Sequence, residues 1–213
     1  FSVMKYNRQT PCMYRGLKVI YHGIPKNAST SVKNALYEYQ HGHEFSGNKQ
    51  WIHKGNSKGG SIYPEIGSIQ CLFADWFHFT VVRDPVERFK SFYNDLFAGT
   101  TSIRNNVPTF YSDNKIRLKP KPVDAVLDMI EQYPDEEADE HFASQCSFIH
   151  YDPISILKLE DLESGWKNLT SLINVEHKPL SVYNKSIDTI ELSDTQIERI
   201  YKRYQNDFEK FGY

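Results

Sequence analysis

The chain has 213 residues, a formal net charge of -2, a pI near 6.5, and 39% hydrophobic, 24% charged and 14% aromatic residues. That composition excludes a disordered chain, and the charge balance argues against a broad nucleic-acid-binding surface while leaving room for a local basic cleft. No apolar run approaches the roughly 20 residues that a bilayer span needs, so no membrane span is expected, and one domain with a full core suffices for this length.

Residues 1–16 are polar and irregular and read as an N-terminal arm. Residues 17–39 organise the rest. Leu17, Val19, Ile20 and Tyr21 have the branched and aromatic character of a buried strand, and Val32, Ala35, Leu36 and Tyr39 recur at helical spacing. Between them lie Gly23, Pro25, Lys26, Asn27, Ser29, Thr30 and Ser31. A strand turning tightly into a helix aims several backbone N–H groups and the positive end of the helix dipole at one spot, which suits a phosphate or sulfate. Lys26 and the hydroxyls strengthen that cradle for an anion.

From residue 41 to residue 60 the chain carries five Gly and three His, which is loop composition. His41 and His43 lack a Cys or acidic partner at ligand spacing, so no metal is expected there. His53 follows Trp51 and Ile52, an apolar pair able to hold its imidazole in place. Residues 62–73 read as a short helix or extended stretch. Phe77 to Val82, FHFTVV, is a strand buried on both faces. It stops at Arg83-Asp84-Pro85, where Asp84 fits a helix cap and Pro85 the first helical turn. Val86, Phe89, Phe92, Tyr93 and Leu96 mark the buried face that follows. Two parallel strands with polar turns at one sheet edge would form a single crevice.

Residues 99–122 form a long loop without periodicity that contains Arg104, Lys115, Arg117, Lys119 and Lys121. It is read equally as a solvated insertion or as a lid over an anionic acceptor. Val123, Val126, Leu127 and Ile130 make a helical stripe, and the acidic cluster from Asp135 to Glu140 is expected in the first turns of another helix. His141 and Gln145 stand one helical turn apart. Residues 154–159 read as a third strand, followed by a helix carrying Trp166, Leu169 and Leu172. Ser193 or Asp194 caps a last helix with Ile197, Ile200, Tyr204, Phe208 and Phe211 buried. Alternating strands and helices favour an α/β fold, a parallel sheet with helices on both faces. Cys12, Cys71 and Cys146 are widely separated, which points to a reducing, cytoplasmic compartment, with a luminal domain whose membrane anchor has been trimmed off as the alternative.

Two of these turns carry a family resemblance. Ile24-Pro25-Lys26-Asn27-Ala28-Ser29-Thr30-Ser31 resembles the 5′-phosphosulfate loop of sulfotransferases that use 3′-phosphoadenosine 5′-phosphosulfate, PAPS. Phe79 to Pro85, continuing through Arg88, Ser91 and Tyr93, resembles their 3′-phosphate motif. Leu157 to Leu162, Asn184-Lys185-Ser186 and the ending Asp207 to Tyr213 add further matches. Together they are similar to the carbohydrate-type sulfotransferases of family 2 and their bacterial relatives.

The resemblance implies one sulfotransferase-like domain over residues 17–213 with a P-loop-like sheet. The implied reaction moves a sulfuryl group from PAPS to a hydroxyl of an acceptor, with a carbohydrate expected, and releases 3′-phosphoadenosine 5′-phosphate. No metal is implied. Pro25, Lys26, Asn27, Ala28, Ser29, Thr30 and Ser31 would hold the phosphosulfate, with Lys26 on the leaving phosphate. Arg83 and Ser91 would grip the 3′-phosphate, and Asn184, Lys185 and Ser186 would complete the cofactor site. His53 is implied as the base, with His141 second. The basic loop makes an anionic glycan a possible partner, and nothing indicates the oligomeric state. Two other functions remain open: a P-loop kinase using ATP and magnesium, although the GxxxxGK[ST] spacing is missing, and a non-catalytic module that binds a nucleotide or sulfated glycan.

Overall fold

The computed structural model describes residues 11–46, 52, 75–97, 121–149, 154–183 and 190–213. The expectations for residues 62–73 and for most of the loop at 99–122 lie outside these. The chain divides into two compact units, one drawn from Asn7–Arg83 and Phe148–Asn184, the other from Asp84–Ser147 and Lys185–Tyr213.

The first unit is a four-stranded sheet in the order β1-β2-β3-β4, formed by β1 (Cys12–Tyr14), β2 (Val19–His22), β3 (Phe77–Val82) and β4 (Ser155–Lys158). β2 and β3 are parallel, with Val19 opposite Phe77 and His22 opposite Thr80, and β3 and β4 continue in parallel with Phe79 opposite Ser155. β1 runs antiparallel to β2, Cys12 opposite Tyr21. The sheet is therefore mixed rather than wholly parallel, and part of the stretch expected to be an irregular arm is its edge. Three residues are too few for alternation to show in the sequence. The chain returns through the short 3-10 helix Arg15–Leu17 and Lys18, whose φ of 52° permits the reversal.

One face of this sheet is covered by α1 (Ser29–His41) and by the helix Leu162–Leu172. Val32 and Leu36 from the first and Trp166 and Leu169 from the second pack with Tyr21, Phe79, Val81 and Leu157 in one buried cluster. Tyr21 and Phe79 stack with centroids 4.9 Å apart, adding an aromatic contact to the burial. Gly165 lets the helix approach β4 closely, since a Cβ there would lie 3.1 Å from Leu157 Cγ. Leu172, expected in the buried stripe, is 70% exposed at the end of its helix.

In the second unit, α2 (Pro85–Leu96) begins as its sequence suggests: Asp84 Oδ1 accepts from the N–H groups of Val86 and Glu87 at 2.9 and 3.0 Å. Phe89, Phe92 and Phe97 are buried, and Phe92 packs on Phe142 at 5.9 Å. α3 (Val123–Ile130) follows and buries Val126, Leu127 and Ile130. With α1 to α3 so placed, Leu162–Leu172 is α4. The expected last helix is two: α5 (Asp194–Arg203), opened by a capping box between Ser193 and Gln196, and α6 (Gln205–Phe211), separated at Tyr204.

The acidic cluster from Asp135 to Glu140 does not start a helix. Residues 135–144 are turns, leading to the 3-10 helix Gln145–Phe148. The carboxylates are occupied otherwise than at a helix dipole. Asp135 accepts from the Ser144 amide at 3.0 Å and from the Ser144 hydroxyl, and Arg203 donates to it at 2.9 Å. Burial pushes the Asp135 carboxyl up, but the Ser144 bonds and Arg203 outweigh it, so its net pKa is below the usual carboxylate range. Burial and then Asp207 push the Cys146 thiol up to about 12, so it is inert at neutral pH.

Trp166 is fully buried and its indole N–H donates to Lys178 O at 3.1 Å. Trp166→Ala should cost about 3–5 kcal/mol, and Leu172→Ala about 0.5 kcal/mol or less, by urea denaturation. Asp135 should make the fold acid-sensitive. Its depressed folded pKa gives stability that is complete above the unfolded value of about 3.9 and is lost as pH falls through the lower folded value. Asp135→Asn should flatten the fall in urea midpoint below about pH 4 relative to the parent.

Candidate active site

Residues 23–28 connect β2 to α1, and two features of the turn are unusual. Lys26 and Ala28 both have positive φ, 71° and 56°, although neither is glycine. The left-handed conformation costs an L-residue about 1–2 kcal/mol, and such strain persists only where the surroundings impose it. Asn27 imposes it here. Its side chain is wholly buried, Nδ2 donates to Val81 O at 2.9 Å, and its own N–H donates to Ile24 O at 3.3 Å. The turn is thereby tied to the end of β3.

α1 then begins at Ser29 with Ala28 as its N-cap, a residue with no side-chain acceptor, and with no acidic residue in the first turn. The N-cap therefore supplies no capping oxygen and the first turn no carboxylate to the positive end of the helix. The first intrahelical bond is Val32 N–H to Ala28 O at 3.1 Å. Ser29 and Ser31 are buried, while Lys26, Ala28 and Thr30 are half-buried. A helix start of this kind is one at which backbone N–H groups and the helix dipole favour an anion.

Arg83 stands beside it. Its Nη1 donates to Lys26 O at 3.4 Å, so the expected leaving-group lysine and the expected 3′-phosphate arginine share one rim. Tyr183 N–H donates to Ser31 Oγ at 3.3 Å. The residue just before Asn184-Lys185-Ser186 thus contacts the first turn of α1, a link that the sequence spacing does not reveal. Beneath the turn, Thr80 Oγ1 donates to His22 O at 2.7 Å, and His22 Nε2 lies 2.9 Å from His78 Nδ1 in a buried pair in which one ring donates to the other.

The structure thus brings together Pro25, Lys26, Asn27, Ala28, Ser29, Thr30, Ser31 and Arg83. Ser91 lies on α2 in the second unit and is half-buried. Asn184, Lys185, Ser186 and His53 lie outside the described residues. His141 is half-buried in the second unit, its Nδ1 2.7 Å from Asp139 Oδ1. Sequence reasoning missed Asp139 as its partner. The available signal is the Asp-x-His spacing, which the expectation of a helix start over the acidic run does not use. Among the described residues, no group of three or more His, Cys, Asp or Glu is placed to hold a metal ion, and no helix is long and apolar enough to cross a membrane.

A strained strand-turn-helix with Lys26 in the turn and Arg83 on its backbone lies within a mixed α/β fold. The model of the sulfotransferase family matches residues 12–213, and the chain belongs to that family, sulfotransferase family 2. No curated protein and no solved structure matches it significantly. The family is one of transferases that move sulfuryl groups.

Because Asn27 imposes the strain and Ala28 bears it, the two should respond oppositely to substitution. Asn27→Ala should lower stability by about 1–3 kcal/mol, leaving the turn without its tie to Val81. Ala28→Gly should leave the urea midpoint unchanged or raised, since glycine adopts the same φ without a Cβ clash, offset by about 0.5–1 kcal/mol of chain entropy.

Proposed function

We propose that the chain transfers a sulfuryl group from PAPS to a hydroxyl of an acceptor, with a carbohydrate as the acceptor class, and releases 3′-phosphoadenosine 5′-phosphate. The observation that carries this reading is the turn itself: Lys26 and Ala28 at positive φ, an α1 start with no capping side chain or acidic residue, and Arg83 on Lys26 O. The cradle is P-loop-like in kind, a strand, a turn and a helix N-terminus, with the lysine early in the turn.

PAPS supplies the activated sulfuryl group when bound, and the residues present fit an anion of that kind. Sulfuryl transfer resembles phosphoryl transfer in depending on positioning and on positive groups where charge develops. The backbone N–H groups at the start of α1 and the hydroxyls of Thr30 and Ser31 hold the phosphosulfate end. Lys26, half-buried at the mouth of the turn, stabilises negative charge on the departing phosphate. Arg83 takes the 3′-phosphate, where a guanidinium offers planar charge-assisted bonds. Asn184, Lys185 and Ser186 complete this binding. Asn27 acts on none of these groups directly and keeps the backbone in the shape that presents them.

The test is transfer of labelled sulfate from PAPS to a panel of neutral and anionic oligosaccharides, with binding of 3′-phosphoadenosine 5′-phosphate followed by calorimetry. The parent protein should transfer label to at least one acceptor. Lys26→Ala should lower kcat about 100- to 1,000-fold, the range found when one group that stabilises developing charge is removed. Phosphate transfer from ATP with magnesium, and none from PAPS, would overturn the reading in favour of a kinase. Tight nucleotide binding with no transfer to any acceptor would leave a binding module.

A further inference from the structure

Within the first unit, α1 has a second polar surface beyond the turn that begins it. Ser31, Asn34 and Glu38 recur at three- and four-residue spacing and share one helical face. Against that face lie residues 175–183, which are neither helix nor strand. The stretch is tied to α1 at two places. Lys178 donates from its backbone N–H to Tyr39 Oη at 2.9 Å and from Nζ to Glu38 Oε1 at 2.7 Å, while its carbonyl accepts from the Trp166 indole at 3.1 Å. The second tie is the one from Tyr183 N–H to Ser31 Oγ at 3.3 Å. Ser31 and Glu38 are two turns apart on the helix, about 10 Å by helical rise, and Asn34 lies between them.

Between the two ties is a cavity of about 30 Å³, to which Asn34, Pro179 and Ser181 contribute. A water-sized group needs roughly 10–15 Å³, so the space takes one or two such groups and no complete ring. Asn34 is 6% exposed, and its Nδ2 donates to Thr30 O at 2.8 Å. A carbonyl only accepts, which fixes the amide with Oδ1 turned away from Thr30. That oxygen is buried and has no hydrogen-bond partner. A buried acceptor left in this state lowers stability, so an occupant that donates to it is favoured.

The rest of the lining defines the donor. Glu38 is already answered by Lys178, which favours a neutral donor over a cation. The Lys178 ammonium and the Ser31 hydroxyl can donate, while Glu38 and Asn34 accept. A hydroxyl does both, and neighbouring hydroxyls on a sugar match this mixed set. Tyr39, Phe45 and Tyr183 line the same space. Their rings offer apolar surface that the C–H face of a pyranose covers and a lone water does not. Ser31 belongs both to this cavity and to the anion cradle at the start of α1, so the two adjoin within one unit.

We propose that this cavity seats hydroxyls at the edge of a saccharide, one of them donating to Asn34 Oδ1, as a subsite for the sugar acceptor. The acceptor role rests on the sulfotransferase reading, whereas saccharide binding by the cavity stands apart from it. Asn34 and Glu38 bind the acceptor and take part in no step of transfer.

The experiment uses the full chain and its Asn34→Leu and Glu38→Ala variants. Binding is followed by saturation-transfer NMR with the methyl glycosides of glucose, galactose and mannose, and transfer with labelled PAPS and the oligosaccharide that the parent turns over best. At least one glycoside should receive saturation from the parent, and its signal should fall in both variants. Asn34→Leu should raise the acceptor KM about 2- to 10-fold, the equivalent of one net hydrogen bond. Its kcat and its affinity for 3′-phosphoadenosine 5′-phosphate should stay within about twofold of the parent's. The urea midpoint of Asn34→Leu should be unchanged or raised, because the unanswered acceptor is gone; a merely structural asparagine would show a lowered midpoint and an unmoved KM. The subsite is overturned if no glycoside signal appears with the parent, if the signal is equal in Asn34→Leu, which leaves an ordered water only, or if nucleotide affinity falls in place of acceptor affinity. An active parent with an unmoved KM in Asn34→Leu overturns the subsite alone. A parent that binds a glycoside through Asn34 and Glu38 but transfers no label overturns the transferase reading and supports the saccharide site.

Discussion

The candidate site depends on one hydrogen bond, from Asn27 Nδ2 to Val81 O. Two residues at positive φ on either side of Asn27 put roughly 2–4 kcal/mol of backbone strain into three positions, and a free loop would relax out of it. The bond is wholly buried, so its partners have no water to turn to, and losing it would leave a desolvated carbonyl as well as a desolvated amide. The cost of breaking it is therefore comparable to the strain it retains. This balance explains how Lys26 and Ala28 can hold a conformation usually given to glycine.

That same conformation decides what the turn can do. With Ala28 in the left-handed region as N-cap, no serine or aspartate at that position turns its oxygen back onto the first amides of α1. A helix whose N-terminus is satisfied by its own cap is stable but closed to ligands; α1 gives up that stabilisation, typically about 1 kcal/mol, where an incoming anion can supply it. α2 shows the opposite choice. Asp84 closes its N-terminus with two bonds, so the positive end of α2 is already answered by a carboxylate. Of these two strand-turn-helix units, the first begins its helix without a capping side chain at the N-cap or an acidic residue in the first turn, and the second contributes Arg83 at the strand end.

Much of this was legible before any coordinates. β3 stops where Arg83-Asp84-Pro85 predicts, because a cap and a proline at the first helical position act locally and carry their signal in adjacent residues. The period of α1 likewise marks its buried face. What the sequence hid depends on distant partners. Asp207 reaches the amides of Gln145 and Cys146 across some 60 positions, and no spacing rule anticipates that. The acidic run at 135–140 misled for the same reason: carboxylates near an expected helix start suit a dipole, but Asp135 and Asp139 fold onto Ser144 and His141. β1 was missed because three residues carry too little pattern, and Leu172 because a helical stripe does not show where its core ends.

The two units solve one problem in different ways. A stretch of irregular backbone must be held in one conformation by a fold that is itself only marginally stable. Around Lys26 the precision comes from strain opposed by one buried amide, an economical device in which few residues take part. Around residues 140–146 it comes from buried charges, with Arg88 and Asp207 each satisfied by two groups of the segment they hold. A guanidinium held by carbonyls and a carboxylate held by amides tolerate almost no displacement, since any movement exposes a full desolvation penalty. The first device suits a backbone surface that must accept a ligand of fixed geometry. The second suits an irregular stretch of backbone that neither a helical ladder nor a strand ladder holds in one conformation, and buried charges on its amides and carbonyls take the place of that ladder.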